Sequence, residues 1–213
     1  EILGIIGLVG SGRTELVSSI YGLNPPDSGQ ILIEGKPVSL KNAEEAIERG
    51  IGFVPENRLG QGLFTDKSIF DNVLATIIDR FKNLGPFLNH TRAGNEVSHW
   101  IDELSIKTPS SQLQVNQLSG GNQQRVVLSK WLATNPKILI LDEPTVGIDV
   151  GAKAEIHEYI KELARQGMGI IMVSDEVKEV LNNTNKIMVM ERGKIIKKTP
   201  AQAITEEQLR ELI

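Results

Sequence analysis

The stretch GLVGSGRTEL at residues 7–16 has residue types and spacing that could bind a phosphate group. Three glycines would let the backbone wrap closely around the phosphate: Gly7, Gly10 and Gly12. Thr14 stands where a hydroxyl group could bind Mg²⁺, and Arg13 stands where the pattern Gly-x-x-x-x-Gly-Lys-Ser/Thr has a lysine. Glycine-rich turns between a strand and a helix also occur without a ligand, so the loop alone leaves both interpretations open.

The segment ILILDEPT at residues 138–145 could deliver two carboxylates to the end of a buried strand. Asp142 would lie at the carboxyl edge of the sheet, where it could hold Mg²⁺ through water. Glu143 follows it and could polarise an attacking water molecule. The alternative is a strand that ends in a solvated acidic turn, and the segment by itself does not decide between the two.

The segment LSGGNQQ at residues 118–124 comes directly before a helical pattern. Ser119 and the backbone amides of Gly120 and Gly121 would form an anion-binding cap at the start of that helix. Chance is a poor explanation for this segment between a glycine-rich loop and an Asp-Glu-Pro strand end. The three motifs together therefore favour a nucleotide-binding site.

The composition excludes several other classes of protein. The net charge of −4 predicts no general attraction to nucleic acid or anionic lipid. The absence of cysteine excludes disulfides and thiol chemistry and fits a reducing compartment. No apolar run approaches the ~20 residues that span a bilayer, and no signal peptide opens the chain. Because the sequence starts at Glu1 with no methionine, we expect a domain of a longer polypeptide.

Strand and helix patterns alternate at both ends of the sequence, with a helical insertion at about residues 65–134. This order predicts one α/β domain over residues 1–213, with a mainly parallel sheet, a small antiparallel β portion and a helical subdomain. We predict strands at residues 2–6, 30–35, 51–55, 137–144 and 169–174, and a hairpin of 186–191 with 193–198. We predict helices at residues 16–20, 43–49, 69–78, 96–104 and 152–167, and a last helix from the capping box of Thr205 and Gln208 to Ile213.

Across nearly its whole length the sequence resembles the ATP-binding cassette ATPases, which have a P-loop NTPase core. In that family two cassettes stack head to tail, and each ATP lies between the phosphate loop of one cassette and the LSGG signature of the other. VGID at residues 146–149 matches the D-loop of the family, and the helical insertion matches its signature-bearing subdomain.

One subgroup is closer still, namely the second cassette of duplicated-cassette ATPases that drive bacterial ribose, galactose, xylose or arabinose importers. The segments that carry this resemblance are EILGIIGLVGSGRTEL (1–16), PENRLGQGL (55–63), LSGGNQQ and DEPTVGIDVGAK (142–153). The resemblance implies partners as well: an upstream cassette in the same chain, membrane-spanning permease subunits and an external sugar-binding protein. It implies a place at the cytoplasmic face of the membrane and no nucleic acid.

The resemblance also implies the residues of the site, with ATP and Mg²⁺ as cofactors. Glu143 would be the catalytic residue, and Mg²⁺ would be held by Thr14, Asp142 and Glu56. Residues of the phosphate loop, of the signature and of four other positions would contact ATP: Gly7, Gly10, Ser11, Gly12, Arg13, Thr14, Glu56, Leu118, Ser119, Gly120, Gly121, Gln123, Asp149 and Asp175. The aromatic residue that stacks on adenine in this family would precede Glu1.

Three positions depart from the usual residues of the family. Arg13 replaces lysine, Glu56 replaces a glutamine that reaches Mg²⁺, and Asp175 replaces a histidine that donates to the γ-phosphate. A guanidinium has a different reach and shape from an ammonium, and an ionised carboxylate accepts but cannot donate. Asp175 could alternatively cap the helix that follows it. We expect a local site that binds ATP better than it hydrolyses it, while LSGG completes the site of the partner cassette.

Two other functions remain open at this point. A soluble cassette acting on ribosomes or DNA would be expected to show basic patches or long coiled-coil insertions, and the net charge of −4 and the compact helical insertion argue against it. A regulatory cassette would bind nucleotide as a scaffold. The three histidines show no metal-ligand spacing and the two tryptophans lie in helical patterns, so we expect packing or surface roles for all five: His90, His99, His157, Trp100 and Trp131. Arg58 suggests a contact specific to the subgroup, with no partner that the sequence assigns.

Overall fold

A computed structural model describes residues 1–82 and 87–213 of the chain. The chain divides into two compact units. The first, the sheet unit, comprises Glu1–Phe53, Lys137–Pro144 and Ile160–Ile213. The second, the helical unit, comprises Val54–Pro136 and Thr145–Tyr159, and so includes the predicted helical insertion together with the segment that follows the Asp-Glu-Pro turn.

The sheet of the first unit is mainly parallel, as the sequence predicts. Its strand order is β4-β5-β6-β1-β7-β8, in which β1 is parallel to β6 and β7, β5 is parallel to β6, and β8 is antiparallel to β7. A separate antiparallel hairpin joins β2 and β3. The strands are β1 (Ile2–Ile6), β2 (Ile31–Ile33), β3 (Lys36–Val38), β4 (Ile51–Val54), β5 (Ile138–Asp142), β6 (Gly169–Val173), β7 (Lys186–Glu191) and β8 (Lys194–Pro200).

The central strands form because they are short apolar runs that can be buried on both faces. The ends of β1, β5 and β6 lie side by side, since Ile5 pairs with Val173 and Val173 pairs with Asp142. Residues that follow these three strands therefore share one edge of the sheet, which is where open parallel sheets bind their ligands. The phosphate loop and the Asp-Glu-Pro turn both start at this edge.

The helices of the sheet unit follow the predicted pattern with one correction at the carboxyl end. The capping box of Thr205 and Gln208 is present, but the last helix ends at Arg210 instead of Ile213. Leu212 and Ile213 follow the helix and pack against the apolar core of the sheet unit. The helices are α1 (Arg13–Ile20), α2 (Ala43–Glu48), α7 (Val177–Asn183) and α8 (Glu206–Arg210), while α6 (Val150–Arg165) has residues in both units.

The helical unit contains α3 (Ile69–Leu74), α4 (His90–Glu103) and α5 (Gly120–Leu132), and a π-helical turn at Arg58–Gly62. Ser68 and Asp71 start α3 with a capping box. The prediction of one helix over residues 69–78 is wrong, since α3 ends at Leu74 and a 3-10 turn follows at Ile78–Phe81. The helix tightens there because Ala75 and Ile77 donate their N–H groups to carbonyls three residues back. In the described part of the chain no helix is long and apolar enough to cross a membrane.

Candidate nucleotide-binding site

The phosphate loop occupies the turn between β1 and α1 and is fixed by backbone hydrogen bonds at both ends. The Ser11 N–H donates to the Leu8 carbonyl at 3.0 Å, and the Gly193 N–H donates to the Ser11 carbonyl at 2.8 Å. Gly12 precedes α1 with φ 97° and gives the helix no side-chain cap. The first N–H groups of α1 therefore face the loop without a capping side chain.

The shape of the loop fits a phosphate group. A Cβ atom at Gly7 would lie 2.2 Å from the Met190 carbonyl oxygen and 2.6 Å from Ser11 Oγ, so only glycine is accommodated there. Gly10 has φ 81° with open space around it, and glycine is needed there for its conformation. Within the described residues, the buried Ser11 hydroxyl has no hydrogen-bond partner. A bound phosphate oxygen would satisfy both this hydroxyl and the amides at the start of α1.

Arg13 is turned into the sheet unit, where it pairs with Glu143. Its Nη1 atom lies 3.2 Å from Glu143 Oε1, and the two side chains are only 9% and 8% exposed. Separating a pair with so little contact with water would be costly, because each charged group would be left buried without its partner. The structure thus brings together the residue that replaces the loop lysine and the residue predicted to polarise water.

Glu143 lies in an environment that favours its protonated form. Its pKa is raised to about 7, chiefly by burial and next by the neighbouring Asp175 carboxylate, while the Arg13 guanidinium acts in the opposite direction. Glu179 and Asp142 add smaller contributions that also raise the pKa. The backbone of Glu143 has φ 47°, and its N–H donates to the Val173 carbonyl at 3.0 Å, which fixes the turn after β5. A carboxyl group with a pKa near neutrality is suited to exchange a proton with water.

Two of the three predicted Mg²⁺ ligands belong to the sheet unit. Asp142 ends β5 and is 1% exposed, whereas Thr14 in the first turn of α1 is exposed. A hydroxyl and a carboxylate oxygen are donors that suit Mg²⁺ with its remaining waters. Glu56 belongs to the helical unit and is exposed. Among the described residues no group of three or more His, Cys, Asp or Glu side chains is arranged to hold a metal ion.

Asp175 is exposed and does not cap the helix that follows it. That alternative is wrong, because α7 begins at Val177 with Glu176 as its N-cap residue. The Glu176 N–H donates instead to the Ser174 hydroxyl at 3.1 Å, and this hydroxyl donates to the buried Glu179 carboxylate. The structural effect of Asp175 is therefore electrostatic, since its charge raises the pKa of Glu143.

The signature segment starts α5 in the helical unit. Ser119 is the N-cap residue, and its hydroxyl accepts from the Asn122 side-chain amide at 3.0 Å. Leu118 and Gln123 are each 9% exposed, and the Gln123 amide donates to the Val115 carbonyl at 3.3 Å. Leu118 and Gln123 are thus held by the unit itself, and the exposed Ser119 is the predicted contact that faces solvent.

Asp149 belongs to the same surface as the signature. Its Oδ1 atom accepts from the Ala152 N–H at 2.9 Å and so caps the start of α6. A Cβ atom at Gly121 would lie 2.7 Å from Ala152 Cβ, so glycine allows α5 and the start of α6 to approach closely. An open cleft of about 220 Å³ is lined by Ser119, Gly121 and Asp149, among others.

The histidines and tryptophans belong neither to the site residues of the sheet unit nor to those around the signature. His90 and His99 are exposed, His157 is buried in α6, and the Trp100 indole donates to Glu96 at 2.9 Å. The ring of Trp131 lies 5.5 Å from Lys130 Nζ.

The sheet topology and the loop geometry define an α/β P-loop NTPase fold with a phosphate-binding loop. The chain belongs to the ABC transporter family, whose sequence model matches residues 1–146. It is 47% identical over 210 residues to the xylose import ATP-binding protein of Moorella thermoacetica, a match that covers 98% of this chain and 41% of that protein. It is 43% identical over 209 residues to the ribose import ATP-binding protein of Bacillus subtilis, with coverage of 98% and 42%.

Solved structures agree with this assignment. A crystal structure of an ATP-binding cassette of an ABC transporter in its ADP conformation aligns with a TM-score of 0.79 and 25% identity, over 99% of this chain and 83% of that chain. A nucleotide-free ATP-binding cassette aligns with a TM-score of 0.82 at 23% identity, over 100% of this chain and 83% of that chain, and supports the fold. The chain spans about two fifths of the length of the curated relatives.

Proposed function

We propose that this chain is one ATP-binding cassette, over residues 1–213, of a longer two-cassette protein that powers sugar import. Relatives named as ribose and xylose import ATP-binding proteins match nearly the whole chain and are more than twice as long. Their length leaves room for an upstream cassette, and the segments PENRLGQGL and DEPTVGIDVGAK support a second-cassette position. The partners in this proposal are that cassette, membrane-spanning permease subunits and an external sugar-binding protein, with the cassettes at the cytoplasmic face of the membrane.

In the proposed local site, the phosphate loop holds the phosphates of ATP and the side chains after β5 face the reacting end. MgATP supplies the phosphoanhydride bond whose cleavage drives the transporter. Amides of the loop from Gly7 to Gly12 would bind phosphate oxygens, and the Ser11 hydroxyl would contribute a further contact. Thr14 and Asp142 would hold Mg²⁺, and Glu143 would accept a proton from water.

The proposal that ATP hydrolysis is slow at the local site rests on the ion pair between Arg13 and Glu143. In the proposed site, Arg13 would have to weaken its pair with Glu143 in order to bind a phosphate, which would leave the buried Glu143 carboxylate next to the charge of Asp175. An ATPase that turns over rapidly would have both groups free for the nucleotide and the water. We therefore propose that this site mainly binds ATP, and that the signature from Leu118 to Gly121 completes the competent site of the partner cassette.

A regulatory cassette that binds nucleotide as a scaffold is the second candidate. The same buried pair favours this candidate, because a site that only binds nucleotide does not need Glu143 free to activate water. The two candidates differ in whether this chain supports hydrolysis in the assembled transporter. A cassette that acts on ribosomes or DNA fits poorly with the net charge of −4.

Nucleotide binding and hydrolysis by the 213-residue chain test the local part of the proposal. A fluorescent ATP analogue should bind weakly, with Mg²⁺ strengthening the binding, and hydrolysis should stay near background. Thr14→Ala removes only an exposed hydroxyl and is the matched variant, in which the effect of Mg²⁺ should weaken. Turnover comparable to an intact importer ATPase, abolished by Glu143→Gln, would contradict the proposed slow site.

Uptake measurements test the cellular part of the proposal. Cells that lack the gene for the longer protein should lose uptake of labelled ribose or xylose and regain it with the wild-type gene. If the gene has no effect on the uptake of these or related sugars, while the chain still binds ATP, the regulatory candidate replaces the importer.

A further inference from the structure

The guanidinium of Arg58 contacts two other segments of the helical unit. Its Nη1 atom donates to the Val146 carbonyl at 2.6 Å, and its Nη2 atom donates to the Gly147 carbonyl at 3.2 Å. Its Nε atom points to Gln123 Oε1 at 3.5 Å. One side chain therefore links the turn after β4, helix α5 and the loop at residues 146–149.

The backbone around Arg58 connects this contact to a predicted ATP contact. The Arg58 N–H donates to the Glu56 carbonyl at 3.0 Å, and Asn57 accepts from the Gly60 N–H at 2.9 Å to start the π-helical turn. Glu56 is thus only one turn from the side chain that holds the loop at residues 146–149. All of these residues belong to the helical unit.

Two glycines pack directly against the guanidinium. A Cβ atom at Gly120 would lie 3.1 Å from Arg58 Nη2 and 3.2 Å from the Gly147 carbonyl oxygen. Gly147 has φ 69°, a conformation that side-chain-bearing residues rarely adopt. The third residue of the signature and the loop at residues 146–149 therefore meet at Arg58, and a side chain at Gly120 would crowd both.

The contacts of Arg58 also orient the peptide groups of the loop. In a trans peptide the carbonyl and the following N–H point in opposite directions. Because Arg58 holds the carbonyls of Val146 and Gly147, the N–H groups of Gly147 and Ile148 are turned away from the guanidinium. Asp149 fixes the other end of the loop by capping α6. The loop is thus held at both ends, and a planar guanidinium suits two successive carbonyls better than an ammonium does.

We infer that Arg58 is a positioning residue that holds the signature and the loop at residues 146–149 in the single arrangement that acts on the partner cassette's nucleotide. The inference rests on the proposed function, in which the signature completes the partner's ATP site. Arg58 touches no nucleotide in this account and acts through Gly120 and Gly147. Its loss should lower turnover in the assembled transporter while ATP still binds to the phosphate loops.

The test compares Arg58→Lys with Arg80→Lys in the full-length transporter. Arg80 is a matched control, because its guanidinium also donates to two successive carbonyls, those of Ala133 and Thr134, at 2.7 and 3.0 Å. Arg80 binds at the carboxyl end of α5, whereas Arg58 binds near its amino end. Gly120→Asp serves as the reference variant that blocks the signature itself.

The measured quantities are kcat and KM for ATP, and hydrogen exchange of the amides at residues 145–152. Arg58→Lys should lower kcat about tenfold or more with KM nearly unchanged, since small misplacements of reacting groups have effects of this size. It should also speed exchange at residues 145–152 without lowering the unfolding midpoint more than Arg80→Lys does. Arg80→Lys should leave kcat and this local exchange near wild-type values.

Equal kcat values for the two lysine variants, with Gly120→Asp still inactive, would overturn the role of Arg58 and leave the proposed function standing. Unchanged exchange at residues 145–152 in Arg58→Lys would overturn it as well, even if kcat falls. A fully active Gly120→Asp transporter would overturn both, because the signature would then play no part in hydrolysis.

Discussion

Replacement of Arg13 by methionine removes the guanidinium that lies 3.2 Å from Glu143 and keeps a side chain of similar length. At an effective dielectric constant of about 20, the attraction between two charges at this distance is about 5 kcal/mol before desolvation is counted. The full loss is not expected, because Glu143 can bind a proton instead. Its pKa in the folded chain is about 7, so protonation at pH 8.5 costs about 2 kcal/mol, and this smaller value limits the effect.

The sign of the pH dependence follows from the same pKa. Glu143 titrates near 4.5 when unfolded and near 7 when folded, so the native state holds the proton more tightly. The stability that this proton contributes is fully present below pH 4.5 and is lost as the pH rises through 7. At pH 6 the wild-type carboxyl is mostly protonated, and Arg13 has little charge to pair with.

We therefore expect Arg13→Met to be destabilised relative to wild type by about 2 kcal/mol more at pH 8.5 than at pH 6. Urea unfolding of the nucleotide-free chain, followed by circular dichroism at both pH values, measures this difference. The same substitution in a Glu143→Gln background is the control and should show no such pH dependence. A pH-independent loss, or a pH-dependent loss that persists without the Glu143 carboxyl, would refute the reasoning about the buried pair.

Two further predictions concern the substituted site and a buried lysine. Arg13→Lys combined with Asp175→His, in the full-length transporter, should increase hydrolysis at this site, and unchanged nucleotide affinity and single-site turnover would place the defect elsewhere. Burial lowers the pKa of Lys130 to about 8, whereas the unfolded side chain titrates near 10.5, so wild-type stability should rise between these pH values. Lys130→Met removes this titration, so the stability of the variant relative to wild type in urea unfolding should fall by about 2 to 3 kcal/mol between pH 7 and pH 10. A difference that does not change with pH would contradict the lowered pKa of Lys130.

The sequence predicted the sheet well because its strands are short apolar runs with glycine or acidic turns at their ends. The strands β1, β5 and β6 come from such runs, and their parallel order follows from the alternation with helices. Helix ends were less predictable. The end of α3 depends on hydrogen bonds three residues apart, and the start of α7 depends on the Ser174 hydroxyl, which neither propensity nor periodicity encodes.

The motifs placed the phosphate loop and the Asp-Glu-Pro turn at one edge of the sheet because each has its own local spacing. The contacts between motifs could not be predicted in the same way. The Arg13–Glu143 pair joins residues that are far apart in the chain, and the packing of Gly193 against Gly12 depends on the hairpin of β7 and β8. The carbonyl partners of Arg58 are backbone atoms, which no residue pattern identifies.

The division of labour between this site and the partner's site is the central claim, and two substitutions in the full-length transporter test it. Gly120→Asp would place a Cβ atom 3.1 Å from Arg58 Nη2 and 3.2 Å from the Gly147 carbonyl oxygen, and its carboxylate would repel a phosphate that approaches the signature. If one transition-state contact is worth ~3 kcal/mol, ATP hydrolysis should fall on the order of a hundredfold. Glu143→Gln alters only the local site, and the account predicts a several-fold fall at most. The reverse ranking, with Glu143→Gln the more severe for hydrolysis and sugar uptake, would contradict the account.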